Sequence, residues 1–198
     1  MIYFYFYLIG ISLVGYGLMC SIYLKIHTSN FGLLGLLGII NLSIIAYFTS
    51  LFINHGKLFN SLVLLFGIIL LILNFKKIRN FKNKIIFFIF VFSLLLLFIT
   101  VGKNHDDFPY YHFPYIITLV DYAHLIGMGN LNLGFNTHSS IFLLSSLFHL
   151  PHANYNLFHL PAAYYIIFVN FTLIKILFNQ RIINKNLFLS FLTLSTLI

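Results

Sequence analysis

From Phe31 to Ile53, and again from Ile85 to Val101, the chain carries no charged residue. That constrains the fold more than any motif does. A helix needs about 20 mostly apolar residues to cross a hydrocarbon core ~30 Å thick. Further apolar runs fall at Ile2–Leu24, Ser61–Phe75, Leu160–Phe178 and Leu187–Ile198. Hydrophobic residues make up 61% of the chain and charged residues 7%, against roughly 45–50% and 25% in soluble domains, so water is not its main solvent. The pattern predicts an all-α integral membrane protein of about six transmembrane helices, with one long outer loop.

The net charge of +8 does not point to nucleic acid, because the basic residues sit between the apolar runs, where the positive-inside effect accounts for them. If the connection holding Lys76, Lys77, Arg79, Lys82 and Lys84 is cytoplasmic, an alternating path puts Lys25, Arg181 and Lys185 there too. Eight basic loop residues then lie inside, against Lys57 and Lys103 outside. The count requires that His138–Leu150 does not cross. At ~1.5 Å per residue this segment spans roughly 20 Å, too little for the bilayer core. Lys175, one turn from the cytoplasmic end of its run, can snorkel to the headgroups.

Three regions follow. Residues 1–101 hold four transmembrane helices, 102–159 form the outer loop with two juxtamembrane helices, and 160–198 hold one helix and the start of another. The start, Met1-Ile-Tyr-Phe, lacks a basic n-region and reads as a retained helix, not a signal peptide. The final run stops after Leu187–Ile198 without a polar anchor, which predicts a fragment, the N-terminal part of a larger protein. Cys20, alone, forms no intramolecular disulfide. Gly32, Gly35 and Gly38 have the small-residue spacing of close helix packing.

The polar chemistry is concentrated in the loop. Asp106, Asp107 and Asp121 are the chain's only acidic residues, and six of its nine histidines (His105, His112, His124, His138, His149 and His152) fall between Lys103 and Asn156. Ionisable groups gathered beside a membrane mark a functional site by default. Asp106 or Asp107 can cap a helix with Pro109 in its first turn. Pro114 then kinks or restarts it, and Gly127 with Gly129 ends it. Phe113, Ile116, Ile117 and Val120 give that helix an apolar face, and Asp121 and His124 are spaced to pair. A second interfacial helix starts at Ser139 or Ser140 and runs through Ile141–Phe148.

Three chemistries could use this set: a carboxylate as general base, carboxylates with histidine around a divalent cation, or a histidine proton relay. Spacing gives no dedicated histidine metal site, since His105 and His112 are separated by a proline and no HxxxH or HExxH occurs. There is no GxSxG, Walker loop or dinucleotide fingerprint.

The stretches Asp107-Phe-Pro-Tyr-Tyr-His-Phe-Pro, Asp121-Tyr-Ala-His-Leu-Ile-Gly-Met-Gly-Asn-Leu and His138-Ser-Ser-Ile-Phe-Leu-Leu-Ser-Ser-Leu-Phe resemble a family of bacterial surface-polysaccharide-locus membrane proteins. That family in turn resembles GT-C type glycosyltransferases. The resemblance covers about fifty residues. It implies a multi-pass protein of the bacterial inner membrane that takes sugar from a polyprenyl-phosphate donor and passes it to a glycan or lipid acceptor in surface polysaccharide assembly. Asp107 takes the place of the catalytic loop Asp, as base or metal-linked carboxylate (Mg or Mn), with Asp106 an additional acid beside it. Asp121 takes the place of a second acid, and Tyr111 and His112 that of a Tyr-His pair. Lys103 is assigned to the lipid phosphate. Asn130, Asn132, His138, Ser139 and Ser140 are assigned to the sugar or phosphate, although His138 stands where the pattern has Asn. The alternative is a non-enzymatic membrane component, a transporter or polysaccharide-assembly partner.

Overall fold

The computed structural model describes residues 2–26, 28, 30–74, 108–130, 133–136, 139–153 and 155–177. Among these residues there is no β-strand, and the helices are α1 (Ile2–Tyr23), α2 (Phe31–Ser50), α3 (Lys57–Leu73), α4 (Phe113–Asp121), α5 (Ser140–Ser146) and α6 (Leu160–Leu177). A π-helical turn, Phe108–His112, leads into α4, and 3-10 turns lie at Met128–Asn130 and Leu133–Asn136. The expected apolar runs at 85–101 and 187–198 lie outside the described residues.

Two helices, α1 and α2, are long and apolar enough to cross a membrane, and α3 and the first part of α6 are shorter apolar helices. Asn30 starts α2 by accepting the Gly32 N–H on its side-chain oxygen at 3.0 Å, an N-cap that satisfies one orphan donor. At the other end Thr49 and Ser50 turn their hydroxyls back onto Ile45 O (2.8 Å) and Tyr47 O (2.7 Å). The Phe52 and Ile53 N–H groups then fold onto Thr49 O. The helix therefore ends at Ser50, short of the apolar run's end at Ile53.

Glycine sets how closely these helices approach. A Cβ on Gly17 would collide with the backbone of Leu34 and Gly38, and one on Gly38 with the backbone of Leu13, so α1 and α2 meet backbone to backbone. Gly15 likewise abuts the Gly67 backbone of α3, and Gly32 and Gly35 of α2 seat Phe168 and Thr172 of α6. Close packing is thus what the glycine spacing encodes, with α1 against α2 and α3, and α2 against α6.

Tyrosine hydroxyls tie the buried layer together, each donating to a main-chain carbonyl. Tyr16 of α1 reaches Val63 O at 2.7 Å, Tyr164 of α6 reaches Phe6 O at 2.6 Å, and Tyr5 reaches Pro151 O at 2.8 Å. The last bond joins the start of α1 to the chain just before α6. Outside this core, Leu58, Leu62, Leu65, Ile69 and Ile72 form an exposed stripe along α3, the kind of surface that needs an apolar neighbour.

Candidate functional site

The segment from Phe108 to His159 covers one end of the bundle, where α2 finishes and α3 and α6 begin. Main-chain bonds fix it there. The His55 N–H donates to Leu119 O (2.9 Å) and the His124 N–H to Ser50 O (2.6 Å), while Asn54 Nδ2 donates to Asp121 O at 3.4 Å. These contacts end α4 earlier than expected. It stops at Asp121, not at Gly127, because Tyr122 turns extended and His124 is taken by α2. His124 therefore does not lie one turn beyond Asp121 on a shared helix. The buried face of α4 is Tyr115, Ile116, Leu119 and Val120, while Phe113 and Ile117 are partly buried.

The second loop helix begins where expected, with Ser139 as N-cap accepting the Ile141 N–H. Ser140 and Ile141 are exposed, but the rest of it turns to protein. Phe142 through Phe148 are all buried, and α5 packs against α2, α4 and α6. Apolar patterning alone cannot tell a face turned to lipid from one turned to protein, which is why the sequence reads it as interfacial.

Beneath the cap lies a buried polar knot that the sequence did not signal. His55 and Ser146 are fully buried, as is Asn60. His55 Nδ1 is 2.6 Å from Ser146 Oγ and its Nε2 is 2.9 Å from Thr49 Oγ1. Ser146 Oγ also faces Leu143 O at 2.7 Å and Thr49 Oγ1 faces Ile45 O at 2.8 Å. Each hydroxyl has one proton, so beside a neutral ring one of the two accepts from the ring N–H and keeps its helix carbonyl, while the other turns its proton to the bare ring nitrogen. Burial favours the neutral ring and pushes the His55 pKa down to about 4. Asn60 Nδ2 serves three carbonyls, His55 O (2.7 Å), Ser146 O (2.9 Å) and His149 O (2.9 Å). The knot clamps the cap to the bundle. Nothing in the sequence pairs a lone histidine between two apolar runs with a serine so far along the chain.

Two concavities open beside this clamp. One, about 240 Å³, is a bowl lined by Tyr115, His124, Asn130, Phe135, Asn136 and the backbone of Gly127–Gly129. The other, about 650 Å³, is an apolar groove between α2 and α6 whose wall includes Ile40, Ile44, Phe48 and Leu144, with Ser139 and Ser140 at the cap. Asn136 and Ser139 are three residues apart, so their Cα atoms lie within about 11 Å of each other.

The expected site residues are distributed unevenly over this surface. Asn130 lines the bowl, and Ser139 and Ser140 line the groove. Tyr111 and His112 are half-buried, with rings 4.3 Å apart edge to face, and His112 lies 4.6 Å from the Phe142 ring. Phe142 is in turn 5.6 Å from Tyr115 in the bowl wall, so an aromatic file joins the Tyr-His pair to the bowl. Asp121 is exposed at the end of α4. Lys103, Asp106, Asp107, Asn132 and His138 lie outside the described residues. Tyr115, His124, Phe135 and Asn136 were not singled out as binding residues by the sequence. The only signal for Asn136 was its place near the Gly-Met-Gly-Asn stretch.

A family model described as "Domain of unknown function (DUF8201)" matches residues 1–198. The chain belongs to the DUF8201 family. No curated protein and no solved structure matches it.

Charge at the capped end of this DUF8201 chain is also organised. His149, tied to α3 through Asn60, has its pKa lowered by burial, then by the Lys57 ammonium, with Asp121 pulling the other way. Lys57 opens α3 between Asn54, which holds Asp121 O, and Asn60, which holds His149 O. Among the described residues, no three His, Cys, Asp or Glu side chains gather as metal ligands.

Proposed function

We propose that the chain is a multi-pass protein of about six transmembrane helices in a bacterial inner membrane, with residues 102–159 on the outer side. In this reading it acts as a GT-C type glycosyltransferase on a polyprenyl-phosphate-linked sugar in surface polysaccharide assembly. The acceptor hydroxyl attacks the anomeric carbon, the bond from that carbon to the phosphate oxygen breaks, and polyprenyl phosphate leaves. Asp107 takes the hydroxyl proton as general base, worth typically ~10²–10⁴ in rate.

The observation that carries the reading is the presence of two cavities of opposite character at the capped end of an apolar bundle. Asn136 of the polar bowl and Ser139 of the apolar groove are three positions apart in the chain. A lipid-linked sugar has the same two-part character, a polyhydroxylated head on a hydrocarbon chain. Sequence resemblance across Asp107–Phe148 favours the same class of substrate.

Reconstitution into liposomes with a radiolabelled polyprenyl-phosphate hexose tests it. Transfer predicts release of free polyprenyl phosphate and movement of label into a water-soluble or lipid acceptor. Label that crosses the bilayer with the sugar–phosphate bond intact would instead identify a transporter.

A further inference from the structure

The bowl is built by two glycines with different tasks. Gly127 has φ +87°, the left-handed region that a side chain disfavours, and its carbonyl accepts the Asn130 N–H at 2.9 Å to close a tight turn. Gly129 gives room instead of a turn. A Cβ there would occupy the position of the Asn136 side-chain oxygen, so the missing side chain lets the Asn136 carboxamide lie against the turn. Asn130 and Asn136 thus reach the same opening from the two 3-10 turns, Met128–Asn130 and Leu133–Asn136.

The lining also carries an apolar wall. Tyr115 is 1% exposed, and its ring meets Phe135 at 5.6 Å and His124 at 6.5 Å, both edge-on. The described lining holds no Lys, Arg, Asp or Glu. Among these described residues a phosphate or carboxylate finds no fixed cation. A carboxamide both donates and accepts, as a sugar hydroxyl does, and aromatic carbon suits the C–H surface of a pyranose ring. With a volume of about 240 Å³, the bowl is smaller than the ~300–1,000 Å³ of drug-sized ligand sites.

From this we propose that the bowl binds one neutral sugar ring, with Asn130 and Asn136 as the specificity-determining hydrogen-bonding pair and Tyr115 and Phe135 as its apolar wall. That the ring is the donor's headgroup rests on the transferase reading; that the bowl holds a neutral sugar does not.

The test is direct binding of a panel of methyl hexopyranosides to the full chain in detergent, followed by saturation-transfer NMR, with no donor lipid present. At least one glycoside should bind saturably. Asn136→Ala and Gly129→Val should each weaken it by about tenfold or more, the loss of one or two hydrogen bonds, and Ser61→Ala on α3, whose hydroxyl bonds only Lys57 O, should leave it unchanged. Asn136→Asp, which keeps the shape but makes the group an acceptor only, should weaken it as well and serves if the alanine variant does not fold. No binding by the unsubstituted chain, or undiminished binding by both Asn136 variants, would overturn the assignment. The two claims fail separately. Sugar binding without transfer defeats the transferase reading alone, whereas transfer whose KM ignores Asn136 defeats the bowl alone.

Discussion

His55 Nδ1 lies 2.6 Å from Ser146 Oγ across 91 positions of sequence, and both residues are fully buried. This bond joins the α2–α3 connection to α5, so the packing of the cap depends on the protonation state of one imidazole.

That dependence has a sign. Burial holds the folded-state His55 pKa at about 4, below its ordinary 6.5. Its contribution to stability is therefore complete above pH 6.5 and is lost as the pH falls toward 4, and the full span corresponds to roughly 3 kcal/mol. Thermal melting in detergent should fall steeply over this window for the unsubstituted chain and less steeply for His55→Gln. Parallel pH slopes for the two proteins would refute the role of His55.

Asn60 tests the same clamp without titration. Asn60→Ala takes one donor each from the carbonyls of His55, Ser146 and His149, of which Ser146 O keeps the His149 N–H at 3.2 Å, and each buried acceptor left unmet costs ~1–3 kcal/mol. We expect a loss of about 2–5 kcal/mol, with the proteolytic sensitivity of the cap rising before that of the helices. A melting temperature within a degree or two of the parent would show that the carbonyls find other partners.

The glycine seam should respond sharply and locally. Gly38→Val pushes a side chain into the Leu13 backbone, which cannot move aside as a rotamer can, and overpacking of this kind costs ~1–3 kcal/mol. Gly56→Ala meets nothing closer than Asn54 Nδ2 at 3.8 Å and should change stability by less than about 0.5 kcal/mol. Equal melting of the two variants would contradict the backbone-to-backbone contact of α1 with α2.

Much of this architecture was legible in the sequence, for identifiable reasons. The runs Ile2–Leu24 and Leu160–Phe178 became α1 and α6 almost to the residue, since an uninterrupted apolar stretch has few alternatives. Ser139 was legible as a cap because capping is local. The start of α3 was not. Lys57, Asn60 and Ser61 make its first turn look like loop, and only the buried partners of Asn60 explain why it is helical. Likewise α4 ends at Asp121 through a bond from His124 to Ser50, a tertiary event with no local trace. In the candidate site, Asn130 was recognisable from its glycine-rich context, but Asn136 owes its place to the space above Gly129.

Sidedness can be checked independently of activity. Ile126 is fully exposed on the cap. With Cys20 replaced by alanine, Ile126→Cys should label with a membrane-impermeant thiol reagent in intact cells, stripped of outer membrane if necessary. Labelling only after permeabilisation would place the cap in the cytoplasm and remove the basis for an outer-facing transferase.

The most direct measurement compares Asp107→Asn with Asp106→Asn in the liposome transfer assay. A helix cap needs only a short acceptor oxygen, so Asn replaces Asp there at little more than a few tenths to ~1 kcal/mol, whereas a general base needs the carboxylate itself. Asp107→Asn should retain normal membrane abundance and lose about 10²-fold or more of its transfer rate, while Asp106→Asn, whose position has no counterpart in the resembled pattern, should lose much less. Near-normal transfer by Asp107→Asn would contradict the account.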